Sequence, residues 1–130
     1  MSGDAQLGRV YREGHLGISL LVFAPVGATL LLAGRVELAV LGEGCVLALS
    51  SLPDVDHDLP LVSHRGITHT VWFALLVGVA LGAAGWTLGG RAGTLSSPDL
   101  ALAGFGFGTL GICAHLLGDV LTPAGITPLW

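Results

Sequence analysis

The amino-acid sequence predicts an all-α, polytopic integral membrane protein built as a bundle of four transmembrane helices. Hydrophobic residues make up 52% of the 130 residues and charged residues 11%, whereas a soluble domain carries about 25% charged residues. Four apolar segments are long enough, at about 1.5 Å per residue, to cross a hydrocarbon core of about 30 Å. Helices are expected because isolated strands cannot satisfy their backbone hydrogen bonds in lipid.

The four spans are expected to form one domain, residues 1–130. In chain order they cover about residues 16–33, 36–52, 71–89 and 100–121, and a motif-bearing loop covers residues 53–70. Pro25 predicts a kink in the first span, and Glu43 interrupts the second. Ser97 is the expected N-cap of the fourth helix, followed by Pro98.

Glycines spaced four residues apart occur in the last two spans. Gly78 with Gly82, and Gly104 with Gly108, are such pairs. Small residues at this spacing let two helices approach closely in lipid. The sequence therefore predicts tight packing of the third and fourth helices.

The composition also excludes some classes of function. The sequence has no lysine and a formal net charge of −4, so the basic surface of a nucleic-acid-binding protein is missing and no nucleic acid is expected as a partner. Cys45 and Cys113 lie within apolar runs, where cysteines are more often small hydrophobic residues than a disulfide.

Ionisable residues are concentrated in the segment LPDVDHDLPLVSHRGITHT, residues 52–70, which holds three aspartates, three histidines and an arginine. Because an even number of spans returns the chain to its starting side, this segment, His15 and the end of the fourth span should share one membrane face. All five histidines then lie at that face. His115 and Asp119 are four residues apart and should project from one side of a helix.

Carboxylates and neutral imidazoles are ligands that suit zinc, manganese or iron. Eight residues at the shared face offer such groups: His15, Asp54, Asp56, His57, His64, His69, His115 and Asp119. One tetrahedral ion needs fewer, so we expect one or two divalent ions, with zinc preferred, and further residues that orient the ligands. Two alternatives remain open: His115 and Asp119 form only a hydrogen-bonded pair, and the loop is only a polar connector.

The motifs LPDVDH, HRGITHT and HLLGDVLTPAGITPLW together resemble the LexA-regulated, membrane-bound metal-dependent hydrolase family of bacteria and archaea. The resemblance runs from His15 to Trp130. The order of the motifs is also similar to the zinc-dependent phospholipase C and P1 nuclease group. That similarity implies metal ligation by His15, Asp54 or Asp56, His69, His115 and Asp119.

The sequence thus leads to the hypothesis of a metal-dependent hydrolase that acts on phosphoester bonds, with membrane lipids as neighbours and a phospholipid-like substrate. The expected metal ligands are His15, Asp54, Asp56, His64, His69, His115 and Asp119. The expected catalytic residues are Arg65, which would clamp a phosphate oxygen, Asp56 and His57.

The alternative function is a non-enzymatic metal-binding membrane module or a metal or proton transporter. A transporter needs ionisable groups along a path to both faces, and only Glu37 and Glu43 offer any. A homo-oligomer is left open. Three of the five arginines are expected on the side of the histidines, namely Arg9, Arg12 and Arg65, with Arg35 and Arg91 on the other. This balance favours a cell-membrane protein whose motif face is cytoplasmic.

Overall fold

The computed structural model describes residues 2–58, 66–91, 95–121, 126 and 128–129, and it describes side chains from residue 13 onward, except those of residues 56–58. The helices of this part are α1 (Ser2–Leu32), α2 (Val36–Leu49), α3 (Val71–Leu88) and α4 (Ser97–Val120). Two 3-10 helices, η1 (Pro53–Asp58) and η2 (Ile67–His69), lie between α2 and α3. The described residues contain no strand, so the all-α prediction is confirmed.

Four segments of the described chain are long and apolar enough to cross a membrane, namely Glu13–Leu32, Val36–Val55, Val71–Leu88 and Ser97–Val120. Large apolar side chains such as Leu21, Leu32 and Leu102 are exposed on the outside of the bundle. Lipid accommodates these side chains, whereas water would not. The prediction of four transmembrane helices is therefore confirmed.

The first two helices do not coincide with the apolar membrane segments that they carry. α1 begins at Ser2, so the polar residues before the apolar segment Glu13–Leu32 belong to the same helix. α2 ends at Leu49. By itself α2 reaches only about 21 Å, and the second membrane segment is completed by residues up to Val55 in η1.

The N-cap of α4 is Ser96, one residue before the predicted Ser97. The side-chain oxygen of Ser96 accepts a hydrogen bond from the backbone N–H of Asp99 at 3.3 Å. An N-cap side chain bonds to the N–H two or three residues further along, which places the cap at Ser96. Pro98 then lies in the first turn, where a missing N–H costs no helical hydrogen bond.

α3 and α4 pack backbone against backbone through the predicted glycines. A Cβ atom added at Gly104 would lie 2.4 Å from the carbonyl oxygen of Leu81. One added at Gly108 would lie 3.0 Å from the Cα atom of Gly78. The predicted close approach of these helices is confirmed.

Two apolar clusters fill the interior of the described bundle. Phe23, Val46 and Phe107 join α1, α2 and α4. Ala74, Ile112 and Leu116 join α3 and α4. Since Ile112 and Leu116 flank His115 on α4, the second cluster supports the polar end of this helix.

Replacing Gly104 with alanine should destabilise the protein, because its methyl group would collide with the backbone of α3. We expect the free energy of unfolding to fall by about 1–3 kcal/mol, as for other overpacked interiors. Equilibrium unfolding in detergent micelles measures the change. Gly44→Ala is the matched control, since a Cβ atom at Gly44 meets nothing within 4 Å. Equal losses in both variants would contradict the close contact of α3 with α4.

Candidate metal centre

One end of the bundle brings together side chains from four segments. His15 lies in α1, Asp54 in η1 and His69 in η2, while His115 and Asp119 lie in the last two turns of α4. The chain reverses between successive helices, so these segments reach the same end. The structure therefore assembles five of the residues singled out in the sequence.

The centre of the group consists of two imidazole nitrogens and two carboxylate oxygens. The Nε2 atoms of His69 and His115 lie 3.3 Å and 3.2 Å from Oδ2 of Asp119. Both Nε2 atoms also lie 3.5 Å from Oδ1 of Asp54. Each nitrogen thus faces both carboxylates, and each carboxylate faces both nitrogens.

These four distances fit the ligand shell of a tetrahedral metal ion. Zinc–ligand bonds of about 2.0–2.1 Å, arranged tetrahedrally, separate neighbouring ligand atoms by about 3.3–3.4 Å. The observed nitrogen–oxygen separations range from 3.2 to 3.5 Å, which includes the expected distance. Ligand atoms of Asp54, His69 and His115 also lie within 4.8 Å of one another, so this His/Asp group could hold a metal ion.

The ring of His115 is oriented by the backbone at the end of α2. Its Nδ1 atom lies 2.5 Å from the carbonyl oxygen of Ser50. A carbonyl oxygen can only accept a hydrogen bond, so Nδ1 carries the proton and donates. In the neutral ring, Nε2 then keeps its lone pair and faces the two carboxylates, which is the tautomer that binds a metal.

Neighbouring groups hold the other two imidazoles. Nδ1 of His69 lies 3.1 Å from the hydroxyl oxygen of Thr68, which leaves Nε2 on the side of the carboxylates. His15 places its Nε2 atom 3.0 Å from Oδ1 of Asp119, and its ring stacks on that of His115 with centroids 4.4 Å apart. His15, His115 and Asp119 form a second group that could hold a metal.

Burial divides the group into an inner and an outer part. His115 is 0% exposed, His69 1% and Asp119 4%, whereas the side chain of Asp54 is 47% exposed. Two carboxylates with neutral imidazoles carry a charge of −2, which a divalent cation would neutralise. Of these four side chains, Asp54 is therefore the one that solvent reaches.

Several predicted site residues are not placed by the structure. The side chains of Asp56 and His57, and the whole of His64 and Arg65, lie outside the described residues. Their assigned roles stay predictions.

The structure also adds two residues that the sequence did not single out. Ser50 acts through its backbone carbonyl, which leaves no trace in residue type. Gly118 lies under the ring of His15, where an added Cβ atom would be 2.7 Å from Cδ2 and 2.9 Å from Nε2. The only trace of this contact in the sequence is that the residue directly before Asp119 is a glycine.

The fold and the site define a four-helix membrane protein with a His/Asp group at one end that could hold a metal ion. The family model described as YdjM inner membrane protein matches residues 11–130. The chain therefore belongs to the YdjM inner membrane protein family. No curated protein and no solved structure matches it.

This match corrects the family expected from the motifs. A LexA-regulated membrane protein fits the YdjM family, but the matching description names an inner membrane protein and no enzymatic activity. Neither the metal-dependent hydrolase family nor the phospholipase C and P1 nuclease group is among the matches. The motif likeness was wrong because short His/Asp motifs identify metal-ligand chemistry without identifying a family.

Replacing Gly118 with alanine should weaken metal binding while the fold persists. The new methyl group would push the His15 ring away, and Asp119 would lose the contact that orients its Oδ1 atom. Loss of such an outer partner typically lowers metal affinity about 10–100-fold. Zinc affinity, measured by chelator competition in detergent, tests this.

The control for this variant is Gly17→Ala in the neighbouring turn of α1, where an added Cβ atom meets nothing within 4 Å. Unchanged zinc affinity in Gly118→Ala would show that His15 does not support the centre.

Proposed function

We propose that the protein is a membrane-bound metal-dependent hydrolase that cleaves phosphoester bonds, with one divalent cation, preferably zinc, held by Asp54, His69, His115 and Asp119. The observation that carries the proposal is the set of nitrogen–oxygen distances of 3.2–3.5 Å among these four residues. Nitrogen and oxygen ligands without cysteine are typical of catalytic zinc sites rather than structural thiolate sites.

When bound, such an ion supplies Lewis-acid chemistry, since it activates water at neutral pH and withdraws charge from an ester oxygen. The protein's own residues would position this chemistry. The Nδ1 atoms of His69 and His115, on the opposite side of each ring from Nε2, contact the Thr68 hydroxyl and the Ser50 carbonyl. His15 holds one oxygen of Asp119 at 3.0 Å, so that the other oxygen remains directed at the centre.

Substrate would approach beside Asp54. A catalytic site needs an open coordination position, and Asp54 is the exposed member of a group whose other three members are buried. A water molecule or an ester oxygen would therefore share or take the position of Asp54. Asp56 and His57 follow Asp54 in the chain and remain our candidates for proton transfer, while Arg65 remains the candidate for binding a phosphate oxygen.

The location of the centre supports a phospholipid-like substrate. The cluster lies at the ends of membrane segments, near Glu13 at the start of the first and Val120 at the end of the last, where lipid phosphates are found. The arginine balance of the sequence supports a cytoplasmic orientation of this end.

A second candidate, a non-enzymatic metal-binding module, is favoured by the completeness of the group. Four protein ligands fill a tetrahedral shell, as in structural metal sites. A module of this kind would bind zinc as tightly as a hydrolase but would turn over no ester. Transport has less support, because the side chains of Glu37 and Glu43 are both exposed on α2 and not part of the His/Asp group.

Purified, zinc-loaded protein should hydrolyse a phosphodiester or phospholipid substrate, and His69→Ala or His115→Ala should abolish this. Loss of either buried imidazole removes one of four ligands, so we expect turnover to fall at least about 100-fold. The measurement is phosphate or alcohol release in detergent micelles, with zinc content determined on the same samples.

Glu37→Gln is the control, since it removes an exposed carboxylate of α2 outside the cluster. Tight zinc binding with no turnover of any ester would contradict the hydrolase and favour the metal-binding module. Unchanged hydrolytic activity in His115→Ala would contradict the assignment of the catalytic site to the His/Asp group.

A further inference from the structure

A cavity of about 290 Å³ lies between α1, α2 and α4 at the other end of the bundle. Its lining is apolar along most of its length, with Leu30 and Leu38 from α1 and α2 and with Ala103 and Phe107 from α4. Arg35 and Asp99 are its charged lining residues. The cavity is thus an apolar slot with two opposite charges at one end.

The charged end lies at the membrane surface. Arg35 falls between the membrane segments Glu13–Leu32 and Val36–Val55, and Asp99 is in the first turn of the segment Ser97–Val120. From Asp99 to Phe107 the slot runs about 12 Å along α4. These positions put its charges at the level of lipid headgroups and its apolar part at the level of acyl chains.

Arg35 and Asp99 contact each other but retain capacity for a further partner. Nη2 of Arg35 lies 3.3 Å from Oδ2 of Asp99, and the two side chains are 40% and 46% exposed. A guanidinium carries five N–H donors, and a carboxylate offers about four acceptor positions. The pair therefore presents a positive and a negative group side by side to the lipid surface.

We propose that this cavity binds a phospholipid with an ethanolamine headgroup from the surrounding bilayer. The phosphate would accept hydrogen bonds from Arg35, and the primary ammonium would donate to Asp99. One acyl chain would occupy the slot between Leu30, Leu38 and Phe107. The headgroup carries a negative phosphate and, at the other end of its short ethanolamine linker, a positive ammonium. These two charges complement the positive and negative members of the Arg35–Asp99 pair.

Other bilayer lipids complement the pair less well. A phosphatidylglycerol headgroup has no cation for Asp99, whose charge would repel the phosphate. A phosphatidylcholine headgroup has a cation, but its trimethylated nitrogen has no N–H to donate. The expected order of binding is ethanolamine first, then choline and glycerol.

This site is independent of the proposed hydrolase. Asp99 and His115 are separated by about 24 Å along α4, and no residue named for the slot belongs to the His/Asp group. Bound lipid here would tie α1, α2 and α4 together at the end away from the metal centre.

Native mass spectrometry of the full chain in detergent, with lipids of identical acyl chains, tests the proposal. We expect phosphatidylethanolamine to be retained about tenfold more tightly than phosphatidylglycerol, as for one charge-assisted hydrogen bond gained. Asp99→Asn should remove this preference, and Arg35→Gln should weaken retention of both lipids. Ala103→Leu, which fills the slot, should weaken retention while the order of headgroups is kept.

Arg91→Gln is the matched control, because Arg91 is exposed after α3 and does not line the cavity. Helical content, measured by circular dichroism, identifies variants that do not fold. If Arg35→Gln does not fold, Arg35→Lys replaces it, and lipid retention is expected to persist because lysine keeps the positive charge. Equal retention of the three lipids by the unaltered protein overturns the proposal whatever the variants do. Equal effects of Arg91→Gln and Arg35→Gln would also overturn it.

Discussion

The carboxylate of Asp119 connects three separate parts of the chain. One oxygen contacts His15 of α1, while the other contacts His69 of η2 and His115 of α4. A buried charged side chain near a membrane span is costly, about 2.5–3.5 kcal/mol at the centre of the bilayer and less near its surface. The hydrogen bond from His15 offsets part of that cost, and a cation held between Oδ2 and the two Nε2 atoms would offset the rest. The position of Asp119 therefore depends on all three segments meeting at this end.

Apolar and polar interactions hold different parts of the bundle. Along their length the helices are joined by glycine contacts and by clusters around Phe107 and Ile112. At the candidate metal centre the contacts are polar, and they include the hydrogen bond from His115 to the end of α2. Since lipid provides little driving force for apolar helix association, these polar contacts also specify which helix ends come together. The same contacts leave two nitrogens and two oxygens at the spacing of a metal shell.

The sequence predicts which residues gather at this end of the bundle, but it does not predict all of their contacts. His115 and Asp119 are predictable as neighbours because four residues separate them on a helix. Span counting places His15 and His69 at the same face, yet it specifies no distance between them. The choice of Asp54 as a partner depends on the 3-10 turn of η1, which the apolar pattern does not reveal. The contact of the Ser50 carbonyl could not be predicted, because every residue has a backbone carbonyl. The family model names a membrane protein and no reaction.

X-ray absorption spectroscopy at the zinc edge can establish whether the His/Asp group binds zinc, because it reports the atoms bound to the ion. For protein loaded with one equivalent of zinc, we expect four nitrogen or oxygen ligands at about 2.0–2.1 Å, with scattering from two imidazole rings. A sulfur shell at about 2.3 Å, or a spectrum without imidazole scattering, would contradict a zinc site made of Asp54, His69, His115 and Asp119.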